Sequence, residues 1–322
     1  MRNFWSICRN TFIEVVREPI YCILLLCSAV IIGLLPAFSL FVFDSQIKMV
    51  IDSAMATSTF VGLLTAILCA SQTVTREMRD GTVLLLLSKP VARASFVLGK
   101  ITGVTAASMI YVWVCNAMTL LALYVFRTQD QFWYDFTLMG FSLGVIGFSV
   151  VLALAANFWR ERSFSGVFTF AVWILTTLLA LYCVAFLKLS PDLVLEEIIK
   201  VGILIFFAVA AMSVIAVIFA LRFELVANLC ICTLLFFVGL ISGHIFAADS
   251  DYAVINFICG FFYAVIPNWQ FFWLADALAG GRVVPWEYVG LAALYVALYI
   301  CLGLLWAVTI FQTQEAAKDA RI

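Results

Sequence analysis

The chain has 322 residues, of which 66% are hydrophobic and only 11% are charged, and its formal net charge is −1. So few charged residues cannot cover the surface of a water-soluble fold of this size. Runs of about eighteen or more nearly uncharged residues recur along the sequence, and each is long enough to cross a bilayer as a helix. The composition argues against a soluble enzyme and predicts one polytopic all-α membrane domain over residues 1–322.

The first nineteen residues predict an amphipathic helix. Its apolar residues recur at steps of three and four, and its charged residues fall mostly on the opposite face. The apolar set is Phe4, Ile7, Cys8, Phe12 and Val15. Trp5 suits the headgroup layer and Pro19 ends the helix. We expect residues 1–19 to lie in the cytoplasmic membrane interface, with Phe4, Trp5 and Phe12 as anchoring residues.

Eight membrane spans are predicted, which places both termini on the same side of the membrane. They lie at about residues 20–43, 51–72, 101–126, 136–158, 164–187, 201–221, 226–247 and 288–311. Of the 18 Lys and Arg residues, 13 fall in the segments on the side of the termini. By the positive-inside rule that side is the cytoplasm, and residues 312–322 form a cytoplasmic tail.

The segment between the second and third spans is unusually polar for this chain. It reads TREMRDGTVLLLLSKPVARASFVLGK and holds five basic and two acidic residues. Gly81-Thr82 permits a turn, VLLLLS predicts a short helix against the membrane face, and Pro90 ends that helix. Gly99-Lys100 lacks the other residues of a phosphate-binding loop, so we expect a separate subunit to supply any energy from ATP. Residues 73–100 would receive force from that partner.

The next cytoplasmic loop carries Arg160, Glu161 and Arg162. These residues are either a second contact with a cytoplasmic partner or charges that orient the membrane spans.

Residues 249–287 approach the membrane from the outside without crossing it. The apolar run 252–266 is only fifteen residues long, and Pro267-Asn268 breaks it. We interpret this segment as a re-entrant helical hairpin whose outer gate or interface residues are Pro267, Asn268, Trp269 and Trp273. Trp269, Trp273 and Trp286 are expected in the headgroup layer. A ninth full span is the alternative.

Catalytic and metal-binding patterns are not recognised in the sequence. Nine of the ten cysteines lie in apolar runs, and there is a single histidine. We interpret these cysteines as packing residues and expect no metal site. The spans contain almost no ionisable residues, which argues against an ion-coupled transporter and against an intramembrane enzyme acting on lipids.

One set of residues carries a family resemblance. The set is Glu77-x-x-x-Gly81-Thr82, then Leu87-Ser88-Lys89-Pro90-Val91-x-Arg93, then Gly99-Lys100. It resembles the signature of type-2 ABC exporter permeases, in which this segment is the coupling helix and the N-terminal helix is an elbow helix. The later stretches FELVANLCICTLLFFVGLISGHIF and PNWQFFWLADALAGGRVVPWEYV are similar to a subgroup related to the NosY permease.

The resemblance implies a half-transporter of the bacterial inner membrane. Two ABC ATP-binding subunits would bind its cytoplasmic side, and a second permease copy or a sister permease would complete the pathway. ATP and Mg would be held by the ATPase subunits, and no nucleic acid is expected. The coupling residues implied are Glu77, Arg79, Gly81, Thr82, Pro90 and Arg93. The alternative is a non-transporting membrane anchor or regulator that recruits an ABC ATPase. The substrate is not legible in the sequence.

Overall fold

The structure is a computed structural model that describes most of the chain. It describes residues 2–42, 46–76, 93–127, 136–189, 194–245, 256, 259–261, 263, 265–274, 277–278 and 282–319.

Nine long α-helices, and no strand, make up the described part of the chain. They are α1 (Arg2–Arg17), α2 (Pro19–Phe38), α3 (Gln46–Ala70), α4 (Arg93–Tyr124), α5 (Phe136–Arg160), α6 (Phe164–Phe186), α7 (Leu195–Ala220), α8 (Leu225–Ile245) and α9 (Trp286–Asp319). Short 3-10 turns lie at Ser39–Phe41, Val125–Arg127 and Trp269–Phe272, and a π turn at Ser71–Thr75 extends α3.

The eight predicted spans are confirmed as helices. Within the described ranges, α2 to α9 are each long and apolar enough to cross a bilayer. Three of them begin well before the predicted boundary: α3 at Gln46 rather than 51, α4 at Arg93 rather than 101, and α7 at Leu195 rather than 201. Hydropathy placed those boundaries too late because the first turns of these helices carry charged side chains, such as Lys48, Arg93 and Lys200.

Described helices cover both edges of the predicted segment 73–100. The π turn carries α3 to Thr75, and α4 already begins at Arg93, so only residues 77–92 lie between the described helices. Helix α9 continues through most of the predicted tail, to Asp319.

Helix α7 is the most enclosed of the eight spanning helices in the described part of the chain. It packs against α3, α4 and α9, while α5 and α6 pack on each other and cover α2 and α4. Buried tyrosines join α2 to α4. The Tyr21 hydroxyl donates to the Ala107 carbonyl at 3.0 Å, and Ser28 shares a hydrogen bond with Tyr111.

Most polar side chains within the spans make hydrogen bonds to the backbone of their own helix. Ser108, Thr119 and Ser213, for example, each donate to the carbonyl four residues earlier, at 2.7 to 3.0 Å. Asn116 is different, because its amide donates across to the Gly202 carbonyl of α7 at 3.2 Å. The intrahelical hydrogen bonds of Ser108, Thr119 and Ser213 let a hydroxyl remain in an apolar span without a partner on another helix.

Successive spanning helices run in alternate directions, which gives the bundle two unlike ends. We call one the α1 end, because it carries α1, the two ends of segment 77–92, and the α5–α6 and α7–α8 turns. We call the other the distal end. It carries the start of α3, the start of α7 and the Trp269–Phe272 turn.

Candidate functional site

The predicted coupling residues fall mainly outside the described residues. Those outside are Glu77, Arg79, Gly81, Thr82 and Pro90. Arg93 is the first residue of α4, and only its backbone is described. Their roles therefore stay predictions. The helices that carry Arg76 and Arg93, on either side of segment 77–92, form the described part of the candidate site.

The end of α3 is tied to the α7–α8 turn. The Thr75 hydroxyl lies 3.2 Å from the Ala220 carbonyl and 3.3 Å from the Phe223 carbonyl, and it donates to these oxygens. Thr75 closes the π turn, a wider turn that occurs mostly as a short insertion at functional positions of a helix. A displacement of residue 76 would therefore act on α7 and α8 as well as on α3.

Asn228 of α8 makes a second link between the same three helices. Its amide nitrogen donates to Ser71 Oγ at 2.7 Å and to the Ala216 carbonyl at 3.1 Å, and its amide oxygen accepts from Cys232 Sγ at 3.2 Å. Asn228 is fully buried. A buried amide with partners on both atoms holds one arrangement of α3, α7 and α8, because any slippage would leave a polar group unpaired.

Helix α1 packs along the start of α4 through two glycines. A Cβ on Gly103 would lie 2.6 Å from Thr11 Cβ and 2.8 Å from the Cys8 carbonyl oxygen, and one on Gly99 would lie 2.7 Å from Ile7 Cγ2. Only glycine permits so close an approach at these positions, as in other small-residue helix contacts within membranes. Gly99 was predicted as part of the coupling signature, and the structure gives it this packing role.

One ion pair lies on each side of segment 77–92. Arg76, just before it, contacts Glu18 with 3.2 Å between Nη1 and Oε1. Lys100, in the second turn of α4, contacts Glu14 with 3.4 Å between Nζ and Oε2, and the lysine is almost fully buried. Both carboxylates belong to the α1–α2 region, so this region holds both ends of the segment at once.

The α5–α6 turn is short and lies at the same end of the bundle. Arg160, Glu161 and Arg162 are all exposed. Glu161 has a φ of 51°, in the left-handed region, and the Asn157 amide closes the turn by donating to the Arg162 carbonyl at 2.8 Å. The turn is therefore closed by its own hydrogen bond, and its charged side chains are open to a partner. This exposure suits a second partner contact and orienting charges equally.

The predicted anchoring residues of α1 divide into two groups. Phe12 contacts Phe170 of α6, with 6.3 Å between ring centroids. Phe4 is half-buried, while Trp5 is 69% exposed. The C-terminal half of α1 thus packs within the bundle, and its first turns present Trp5 to the surroundings.

At the distal end, the chain turns back between α8 and α9. Pro267, Asn268 and Trp269 are buried. A Cβ on Gly239 would overlap the Pro267 carbonyl and lie 2.6 Å from Trp269 Cδ1. The backbone N–H of Asn268 donates to the Tyr295 hydroxyl at 3.0 Å. The expectation that Trp269 faces the headgroups is wrong, because packing on Gly239 buries it. Trp273 remains 37% exposed.

A charged cluster at the start of α7 was not predicted. Lys200 Nζ lies 2.9 Å from Glu196 Oε1, 2.8 Å from Glu197 Oε1 and 2.8 Å from the Val284 carbonyl. Glu197 also accepts from the Val284 amide at 2.8 Å, and the Trp286 indole donates to Glu196 at 2.7 Å. The cluster joins the start of α9 to α7. The spacing Glu196-Glu197-x-x-Lys200 is the sequence feature that could have predicted this cluster, since residues three and four apart share a helix face.

In the described ranges, no three His, Cys, Asp or Glu side chains come close enough together to hold a metal ion. The fold and the site instead define a class: a polytopic helical membrane protein in which one polar interhelical segment is held by the N-terminal helices. A family model for ABC-2 family transporter proteins matches residues 28–195, just over half of the chain. The chain belongs to this family.

Members of this family are membrane permease components of ABC transporters, distinct from the ATP-binding subunits with which they generally work. The matched residues run from α2 to the start of α7 and include segment 77–92. A comparison with curated proteins finds no match.

Proposed function

We propose that this chain is the permease subunit of an ATP-driven exporter and that segment 77–92 receives the force of ATP hydrolysis. Partner ABC ATPase subunits, which hold ATP and Mg, bind the α1 end. ATP-driven closure of those subunits pushes the segment and opens a pathway towards the distal end. Two copies of the permease, or one copy and a sister permease, enclose that pathway.

The attachment of segment 77–92 is the observation that carries this proposal. On one side Thr75 bonds to the α7–α8 turn, and Arg76 pairs with Glu18. On the other side Lys100 pairs with Glu14. Because α1 and the spanning helices α3, α4, α7 and α8 meet at these contacts, a push on the segment would move the helices together rather than bend a loose loop.

The orientation of the chain follows from its charges. The α1 end carries most of the Lys and Arg residues of the sequence, as expected for the cytoplasmic side. Helix α1 then serves as the elbow helix in the cytoplasmic interface, with Trp5 exposed to the headgroups. Both termini are cytoplasmic, and the membrane is the cytoplasmic membrane of a bacterium.

The distal turn supports a re-entrant segment. Trp269 Nε1 lies 3.4 Å from the Leu235 carbonyl, ten residues before the end of α8 at Ile245. At 1.5 Å per residue, the turn reaches about 15 Å below the distal end of α8. The NosY-like subgroup is proposed on this same region, because the resembling stretches are the α8 sequence and PNWQFFW.

A reconstituted complex tests the coupling role. We expect Glu77→Ala and Gly81→Pro to preserve expression and assembly with the ATPase but to reduce transport-linked ATP hydrolysis more than tenfold. Glu287→Ala is the matched control, because Glu287 is an exposed carboxylate at the distal end of α9. Full activity in both coupling variants would overturn the proposal.

The same assay separates transport from recruitment. A non-transporting anchor or regulator would bind the ATPase through segment 77–92 but show no ATP hydrolysis that depends on a transported substrate. ATP hydrolysis that rises with substrate in proteoliposomes would favour the exporter.

A further inference from the structure

A cavity of about 540 Å³ lies between α3, α8 and the distal turn. This volume is in the range of about 300–1,000 Å³ that is typical of small-molecule sites. Five aromatic side chains form much of its wall: Phe60, Phe236, Trp269, Phe272 and Trp273. Its polar side chains are Thr59 and Gln270, and no ionisable side chain of the described residues lines it.

The cavity lies at the depth of the bilayer hydrocarbon. Ala56, on its wall, is ten residues from the distal end of α3, and Phe236 is nine residues from that of α8. At 1.5 Å per residue, these positions are about 14 to 15 Å from the helix ends. A hydrocarbon core is about 30 Å thick, so the walls extend well into it.

The cavity is only partly enclosed, and its wall includes Phe60, which is 53% exposed on the surface of the bundle. Because this part of α3 lies at the depth of the hydrocarbon core, an occupant that enters beside Phe60 would come from surrounding lipid rather than from water. An apolar cavity of this kind does not hold water stably, because water needs two or more polar partners.

We propose that this cavity binds the hydrocarbon chain of a membrane amphiphile. The occupant is an acyl chain, because aromatic and aliphatic walls at this depth offer contact with apolar surface and few hydrogen bonds. Gln270, exposed at the turn, is placed to meet the first polar atoms of the amphiphile. The distal turn thereby forms part of a ligand site as well as a packing element.

The test uses the isolated full chain in amphipol, titrated with a palmitic acid analogue that carries a diazirine in its chain. After illumination, intact mass counts the bound probes and peptide mapping locates them. We expect saturable labelling at one probe per chain, on the segments that hold Phe60, Phe236 or Trp273. Unlabelled palmitic acid should reduce this labelling more than tenfold.

Two substitutions fill the cavity. Ala56→Trp and Ala208→Phe place large side chains on its α3 and α7 walls, and we expect each to reduce the saturable labelling more than tenfold. Ala297→Trp is the control, because Ala297 is exposed on α9, and it should label as the unsubstituted chain does.

Labelling that rises in proportion to probe concentration, or that persists in Ala56→Trp, would overturn the proposal. If both filling variants fail to elute as a single species, competition by unlabelled palmitic acid on the unsubstituted chain decides the question. Since no ATPase is present, a negative result leaves the proposed transport function standing.

Discussion

The contact between α1 and α4 provides a quantitative prediction. In Gly103→Ala, the new methyl group would lie 2.6 Å from Thr11 Cβ and 2.8 Å from the Cys8 carbonyl oxygen, where ordinary contacts are 3.4–4 Å. One of the two partners is backbone, so a rotamer change cannot relieve both contacts and α1 must shift. Overpacking of this kind costs about 1–3 kcal/mol.

A matched glycine isolates that cost. Gly147 lies within α5, and a Cβ added there meets nothing within 4 Å. Both Gly→Ala changes gain about 1 kcal/mol of helix propensity, so this gain cancels in the comparison. We therefore expect Gly103→Ala to be less stable than Gly147→Ala by about 1–3 kcal/mol.

The assay is reversible unfolding of the full chain in mixed micelles, followed by circular dichroism. Protease sensitivity of the first seventeen residues gives a second, local measurement, and we expect cleavage to be faster in Gly103→Ala alone. Equal free energies of unfolding for the two variants, with equal protease sensitivity, would refute the close packing of α1 on α4.

Two further predictions concern the polar contacts. Asn228→Ala should lower the free energy of unfolding by about 1–3 kcal/mol, because it leaves Ser71 and the Ala216 carbonyl without their buried donor. The control Ser213→Ala loses only an intrahelical hydrogen bond and should lower the free energy of unfolding clearly less. Equal losses in the two variants would contradict the role of Asn228. Lys200→Met should leave Glu197 buried without its cation and release the start of α9. A cysteine introduced as Val284→Cys reports this release, because Val284 is buried in the unsubstituted chain. We expect this cysteine to react with an impermeant maleimide more than tenfold faster when Lys200→Met is also present. Val283→Cys, at an exposed position, should react equally in both backgrounds, and an unchanged rate at 284 would contradict the role of the cluster.

Helix number was predictable from the sequence because long apolar runs have no other stable arrangement in a bilayer. The helix ends were less predictable. Glu196 and Lys200 lower the local hydropathy at the start of α7, yet they remain helical because they pair with each other and with the start of α9. A hydropathy scale counts the free-energy cost of placing a charge in the membrane. It does not count the hydrogen-bond partner that offsets this cost, which lies about 90 residues away in the sequence.

The contacts around segment 77–92 could not be predicted from the sequence, and the role of the segment stays a prediction. Gly99-Lys100 was recognised as part of a motif, whereas its packing on Ile7 and its pairing with Glu14 depend on how α1 folds back along α4. Asn228 gave no sequence signal, since an isolated amide in an apolar run has many possible partners. Trp269 was assigned to the headgroup layer by residue type, and the small size of Gly239 is what lets it pack inside the bundle instead.

Site-specific crosslinking in the native host can show whether segment 77–92 is the docking surface of an ABC ATPase. A photoreactive amino acid would replace Lys89 in the segment or, as the control, Val283, which is 77% exposed at the distal end. After illumination and gentle purification, mass spectrometry would identify the attached proteins. We expect an ATP-binding subunit to be crosslinked from position 89 and not from position 283. Purification without any ATPase, or crosslinking from the distal position only, would overturn the docking role of the segment.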